Sequence, residues 1–224
     1  MIEVQKKYVL TGGSQAQIAA AGMLESEKMT PDTYYDKNDA TFGLKEISLH
    51  QRLSGFQLSV VLYEKDEEGN RTSHSKDITD ESEMREILGL PAVAEDEERD
   101  FEADLAAAEI VPQAHYITTR RKYKIHELEI EMDVTSFGYS IAKISNNVHS
   151  DEEVEAAMQE IEEFAMEHQL ELLPQGGSKL AECLYRTNTP YYRLLVEGGI
   201  LKEAEHSVEP DEVVEEVPEE PVAE

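Results

Sequence analysis

Cysteine is almost absent from this chain: Cys183 stands alone among 224 residues, which excludes an intramolecular disulfide. Long apolar runs are missing too, and no stretch approaches the ~20 residues that a membrane-spanning helix needs. The opening Met1-Ile2-Glu3-Val4-Gln5-Lys6-Lys7 lacks the basic-then-apolar layout of a secretion signal. The expectation is a soluble cytoplasmic chain that does not engage a membrane. Basic residues are scarce, 20 Lys and Arg against 49 Asp and Glu, for a net charge of −29. A nucleic-acid partner would need a basic footprint to neutralise phosphates, so that class is excluded. A small polyanion is not excluded, because a few cations gathered in a cleft dominate their own surroundings. No G-x-G-x-x-G and no strand–helix alternation occur, which removes a dinucleotide-binding sheet. There is no internal repeat.

What the chain does have is acid, unevenly placed. Beyond Lys202 it carries ten acidic side chains, three prolines and no Lys or Arg. Such a segment buries too little apolar surface to offset its ordering entropy. Residues 203–224 therefore read as a disordered acidic tail, with a protein partner as one use for it. Removing those ten charges from −29 leaves −19, still strongly acidic. A second acidic stretch, about 92–110, reads as an exposed insertion that runs into a helix through Leu105. The remainder, 1–202, is long enough for one domain with a real core.

Hydrophobic patterning supplies the elements. Ile2, Val4 and Tyr8 alternate with Glu3, Gln5 and Lys7, the period of a strand whose second face is polar. Gly12-Gly13-Ser14 ends it, and residues 15–23 read as an alanine-rich helix. Asp32-Thr33-Tyr34-Tyr35-Asp36 reads as extended. Residues 46–53 and 56–63 alternate around Ser54-Gly55 as a hairpin, with a turn at 67–70 and a strand over 72–78. Asp80 with Glu83 opens a short helix that ends at Gly89. Further strands are expected over 114–124, 128–133 and 139–146. Ser150 with Glu153 caps a helix whose buried stripe is Val154, Met158, Ile161 and Ala165. Ser178 and Thr189-Pro190 open two last helices. Six to eight hairpin-linked strands with peripheral helices predict an α+β fold built on an antiparallel barrel or sandwich.

Several of these stretches are similar to a known family. Glu3-Val4-Gln5-Lys6-Lys7 resembles the E-x-E-x-K signature of the CYTH, or triphosphate tunnel metalloenzyme, superfamily. Asp32-Thr33-Tyr34-Tyr35-Asp36, Phe137-Gly138-Tyr139, Ser178-Lys179-Leu180 and Tyr192-Arg193-Leu194-Leu195 resemble, in order, stretches of its animal thiamine triphosphatase branch. The resemblance implies a closed antiparallel β-barrel whose inward cations grip a small-molecule triphosphate. Inward carboxylates would hold divalent cations, usually Mg2+, with Mn2+ as the alternative. Arg offers phosphate bidentate hydrogen bonds, and magnesium prefers carboxylate, phosphate and water oxygens. Carried over by position, Lys7, Arg52, Arg120 and Lys179 are the phosphate-binding candidates, with His50 at the place of a further arginine. Glu3, Glu131 and Asp133 are the metal candidates.

The departures carry as much weight. Gln5 replaces the second carboxylate of the signature, and Ser59 stands where a lysine usually follows. Lys143 and Ser145 occupy the places of an E-x-E pair. Glu129, Glu131 and Asp133 share one strand face, so the carboxylate site has either moved there or those residues face solvent. His74, His115, His126, His149 and His168 lack metal-ligand spacing and read as surface or cap residues. Arg121, Lys122 and Lys124 read as surface ion-pair partners rather than a basic rim. Because the phosphate-gripping frame is kept, the expected function is a metal-dependent phosphohydrolase of thiamine triphosphate or another organic triphosphate, weakened in activity. The alternative is a catalytically degenerate relative that binds a triphosphate or other polyanion without hydrolysing it.

Overall fold

A computed structural model describes residues 1–53, 55–65, 71–94, 99–174 and 177–203. The turn expected at 67–70, the middle of the acidic insertion at 95–98 and the acidic tail from 204 onward lie outside the described residues. The strands are β1 (Ile2–Val9), β2 (Met23–Asp36), β3 (Ile47–Arg52), β4 (Gly55–Lys65), β5 (Arg71–Ile78), β6 (Val111–Ile125), β7 (Leu128–Thr135), β8 (Ser140–Val148) and β9 (Glu171–Leu172). The helices are α1 (Gly12–Ala21), α2 (Glu81–Leu88), α3 (Phe101–Ala107), α4 (Val154–Glu167), α5 (Lys179–Thr187) and α6 (Thr189–Glu197). The strands form one antiparallel sheet in the order β5-β4-β3-β2-β6-β7-β8-β1-β9. This is the α+β class expected. The expected closure of the barrel is only approximate: among the described residues β5 and β9 end the ladder without bonding to each other. The reason is local, because β9 is two residues long and pairs only with Tyr8 and Val9 at the end of β1.

Strand alternation sorts the sheet into two faces. On one, Val4 and Tyr8 of β1 join Ile130, Met132, Ala142 and Ile144 beneath Ala157, Ile161, Phe164 and Ala165 of α4. Two carboxylate bonds start that helical segment: the Glu153 side chain accepts from the backbone N–H groups of His149 (2.7 Å) and Ser150 (3.3 Å). A second core places Leu49, Leu58 and Ile78 against Met84 and Leu88 of α2 and Phe101 and Leu105 of α3. The other face is polar. Cross-strand register sets Lys7 beside Lys143, Gln5 beside Ser145, and Glu3 beside Asn147. It continues through Glu131 beside Lys143 and Arg120 beside Asp133, then Lys28 beside Arg120.

That polar face is capped at one end. A third apolar cluster packs Ala114 and Tyr116 of β6 against Ala181, Cys183 and Leu184 of α5 and Tyr191, Tyr192 and Leu195 of α6. Ala114 and Tyr116 share the face of Arg120 by alternation, so α5 and α6 sit over the channel's end. The Ser178 hydroxyl accepts from the backbone N–H of Ala181 (3.0 Å) and starts α5 with Lys179 as its first residue. Residues 12–13, expected to end β1, instead open α1, because Thr11 and Ser14 cap it reciprocally. Ile161 is fully buried between α4 and the sheet. Ile161→Ala should lower unfolding stability by about 2–5 kcal/mol, read as a lower midpoint in urea; a change within ~0.5 kcal/mol would show that α4 does not seal this core.

Candidate functional site

Arg120 lies at the centre of the polar face. Its Nε and Nη2 donate to the two carboxylate oxygens of Asp133 at 2.6 and 2.8 Å, and its Nη1 lies 3.0 Å from Glu131 Oε2. Lys179 reaches in from α5 and donates to Asp133 Oδ2 at 2.7 Å. Asp133 is buried, yet burial, which alone would push its carboxyl up, is outweighed by the Arg120 and Lys179 hydrogen bonds and charges, which hold it below the usual range. The Asp133 hydrogen bond in turn raises Arg120. Glu131 behaves likewise: burial opposes, while the Lys122 hydrogen bond and the charges of Arg120 and Lys143 lower it. Lys122 is 2.6 Å from Glu131 Oε1.

Two cavities meet along Arg120 and Lys179. One, of about 350 Å³, is lined by Lys28, Thr30, Asp32, Arg52, Thr118, Arg120 and Lys179. The other, of about 280 Å³, is lined by Lys7, Arg120, Glu131, Asp133, Ile141, Lys143 and Lys179. Asp32 is buried and pairs with Arg52 at the far side of the first. Lys7 and Lys28 differ from the rest, since neither has an ion-pair partner among the described residues. Their charges are thus available to a ligand, one in each cavity.

The sequence candidates are placed as follows. Lys7, Arg52, Arg120 and Lys179 all line this pair of cavities. His50 lines neither; it is buried, tilted over the Tyr34 ring with centroids 5.5 Å apart, and its Nε2 has no hydrogen-bond partner among the described residues. Burial and then the Arg52 charge hold its imidazole below the usual value, so it is neutral near pH 7. Glu129, Glu131 and Asp133 share one strand face; the last two line the second of these cavities, and Glu129 is exposed. Glu3 is half-exposed and receives the Lys143 ammonium at 3.0 Å. Of the basic trio, Arg121 pairs with Glu27 and Lys124 donates to the Glu127 carbonyl, both away from the cavities. Lys28 was not among the sequence candidates. The alternation of Lys28, Thr30, Asp32 and Tyr34 was the signal for it, hidden because Met23, Leu24 and Met29 fall on both faces among charged residues and leave no clean period. Asp36, by contrast, is structural: it accepts from Tyr191 Oη and Gly43 N, each at 2.7 Å, and from Phe42 N at 3.0 Å.

The metal expectation meets a specific obstacle. Asp133 is engaged by Arg120 and Lys179, Glu131 by Lys122 and Arg120, and Glu3 by Lys143. Among the described residues no group of three or more His, Cys, Asp or Glu side chains is arranged to hold a metal ion. A hard divalent cation needs several free oxygens, and these carboxylates do not fit one.

Residues 1–180 match the CYTH domain family. The chain belongs to that family. Its CYTH relatives include the thiamine-triphosphatases of Macaca fascicularis and Homo sapiens, each 24% identical and each aligned over 93% of this chain and 95% of the relative. Among solved structures, a Hippeastrum protein named as an adenylyl cyclase and described as having a dominant triphosphatase activity is similar at TM-score 0.45 and 18% identity, covering 83% of this chain and 96% of that one. A Pyrococcus horikoshii protein is similar at TM-score 0.41 and 16% identity, covering 76% and 92%. Among the described residues no helix of this CYTH chain is long and apolar enough to cross a membrane.

Asp133 makes the cation cluster pH-dependent in a defined direction. Its folded value lies below the unfolded ~3.9, so its stabilising contribution is complete above that value and is lost as pH falls through the folded one. Asp133→Asn should cost about 2 kcal/mol at pH 7, moderated by the partial exposure of Arg120, and the wild-type advantage should shrink below about pH 4. Denaturant melts of both proteins across pH measure this, and a pH-independent gap would contradict it.

Proposed function

We propose that this CYTH chain binds a small-molecule triphosphate in the paired cavities, and that binding rather than fast turnover is the property its channel retains. One observation carries the reading: Lys7, Lys28, Arg52, Arg120 and Lys179, drawn from four strands and a helix, surround two adjoining cavities in a chain of net charge −29. A dense phosphate anion matches that cluster. Arg120 and Arg52 present planar forks suited to phosphate oxygens, and Lys7 and Lys28 supply unshared charge at either end. The partly walled setting strengthens each contact relative to open water. Asp133 is buried in the wall of the second cavity and acts as a positioning residue, holding Arg120 and Lys179 toward one another.

A second reading is slow hydrolysis of thiamine triphosphate or another organic triphosphate, supported by the similarity to two thiamine-triphosphatases along nearly the whole chain. In that reading Lys7, Arg52, Arg120 and Lys179 would bind and orient the anion and offset its charge. Phosphate release from a panel of organic triphosphates separates the readings. Release by wild type that disappears in Arg120→Ala favours hydrolysis, and silence across the panel with intact binding favours the binder.

Lys7 tests the binding reading most cleanly, because it has no ion-pair partner to lose among the described residues. Lys7→Ala should weaken inorganic tripolyphosphate about tenfold in calorimetry while leaving the melting temperature within about 2 °C of wild type. Affinity unchanged by this substitution and by Arg120→Ala would dispose of the proposed site.

A further inference from the structure

Between Glu3 and Glu131, two carboxylates that the family resemblance would assign to a metal, this chain places an ammonium group. Lys143 Nζ lies 3.0 Å from Glu3 Oε1 and 3.8 Å from Glu131 Oε2. Lys143 is the cross-strand neighbour of Lys7 on one side and of Glu131 on the other. Two lysines directly opposite one another repel. Lys143 escapes that repulsion by turning toward the carboxylates, and Lys7 keeps its charge unshared. The cavity they line thus has four cationic side chains, Lys7, Arg120, Lys143 and Lys179, against two carboxylates, Glu131 and Asp133.

We propose that Lys143 is a tethered cation in the place of a divalent metal, so that the channel takes up its triphosphate free of metal. The inference rests on the triphosphate-binding reading above and adds to it the form of the ligand. A tethered ammonium has no dissociation equilibrium, so it neutralises Glu3 and Glu131 at every metal concentration. It also repels a dication approaching the same oxygens, and it leaves those oxygens already engaged. A free triphosphate brings its full negative charge to the four cations. A magnesium-complexed triphosphate brings less charge and a hydrated ion that meets carboxylates already paired with cations. Magnesium should therefore weaken binding, the opposite of its effect at a site built from carboxylates.

The test is calorimetry of inorganic tripolyphosphate with the full chain, first in chelator and then in excess magnesium. Wild type should bind more tightly in chelator than in magnesium, and equal or weaker binding in chelator would overturn the tethered-cation inference. Lys143→Met, similar in length and uncharged, should lose about tenfold in chelator. Lys143→Glu should bind only when magnesium is present. Wild-type binding that requires magnesium would overturn the tethered-cation inference and leave the triphosphate reading standing; no binding in either buffer would overturn both. Lys143→Met with wild-type affinity in chelator would also overturn it. A measurement on wild type alone guards against misfolded variants: Mn2+ titrated into ligand-free protein should stay in the free-ion electron paramagnetic resonance signal. Stoichiometric loss of that signal would contradict the proposal.

Discussion

The contact between Asp133, Arg120 and Lys179 organises this molecule's polar interior. A carboxylate buried in a sheet is costly unless its lone pairs are filled, and here a bidentate guanidinium and an ammonium fill them. Arg120 and Asp133 face each other across the β6–β7 hairpin, and Lys179 comes from α5, 46 residues beyond Asp133. Their union ties the C-terminal helix to the sheet and aims two cations at the same space. Removing the carboxylate would leave two neighbouring positive charges without the group that holds them together. The two cavities share those cations as a common wall, so the geometry of each depends on this one cluster.

An acidic chain with a basic interior is a coherent electrostatic design. Surface acids repel indiscriminate polyanions, while a walled cleft focuses the field of its few cations. Charge is apportioned inside as well. Lys122, Arg120 and Lys143 surround Glu131, and Arg52 covers Asp32, so the carboxylates serve to position cations. That arrangement separates this chain from what its family resemblance implies, where carboxylates on the same face would hold metal. The change falls on two paired strands: Lys143 and Ser145 of β8 and Gln5 of β1 stand where the resemblance implies carboxylates.

Much of this fold was legible in the sequence where one face of an element is apolar. The strand β1, the β3–β4 hairpin and the α4 stripe each show a clean period, and α4, α5 and α6 open near cap residues that local chemistry demands. Legibility failed where neither face is apolar. The first half of β2, from Met23 to Pro31, has the channel on one side and water on the other, so its alternation lacks contrast and Lys28 went unnoticed. The strand β9 is too short to carry a period. His50 was placed by its position in a motif, but its neutral ring packs beneath Tyr34, a matter of tertiary burial that spacing does not encode. The four cations Lys7, Arg52, Arg120 and Lys179 were legible because the family resemblance aligned them. Their mutual distances, and the ion pairs that occupy the carboxylates, depend on register and so required the fold.

The most direct measurement is an experimental structure of the full chain with inorganic tripolyphosphate. The account predicts phosphate oxygens within hydrogen-bond distance of Arg120 and Lys179, with Asp133 still joined to both. An anion bound on the outer surface, or in the channel with Arg120 and Lys179 turned away from it, would contradict the account.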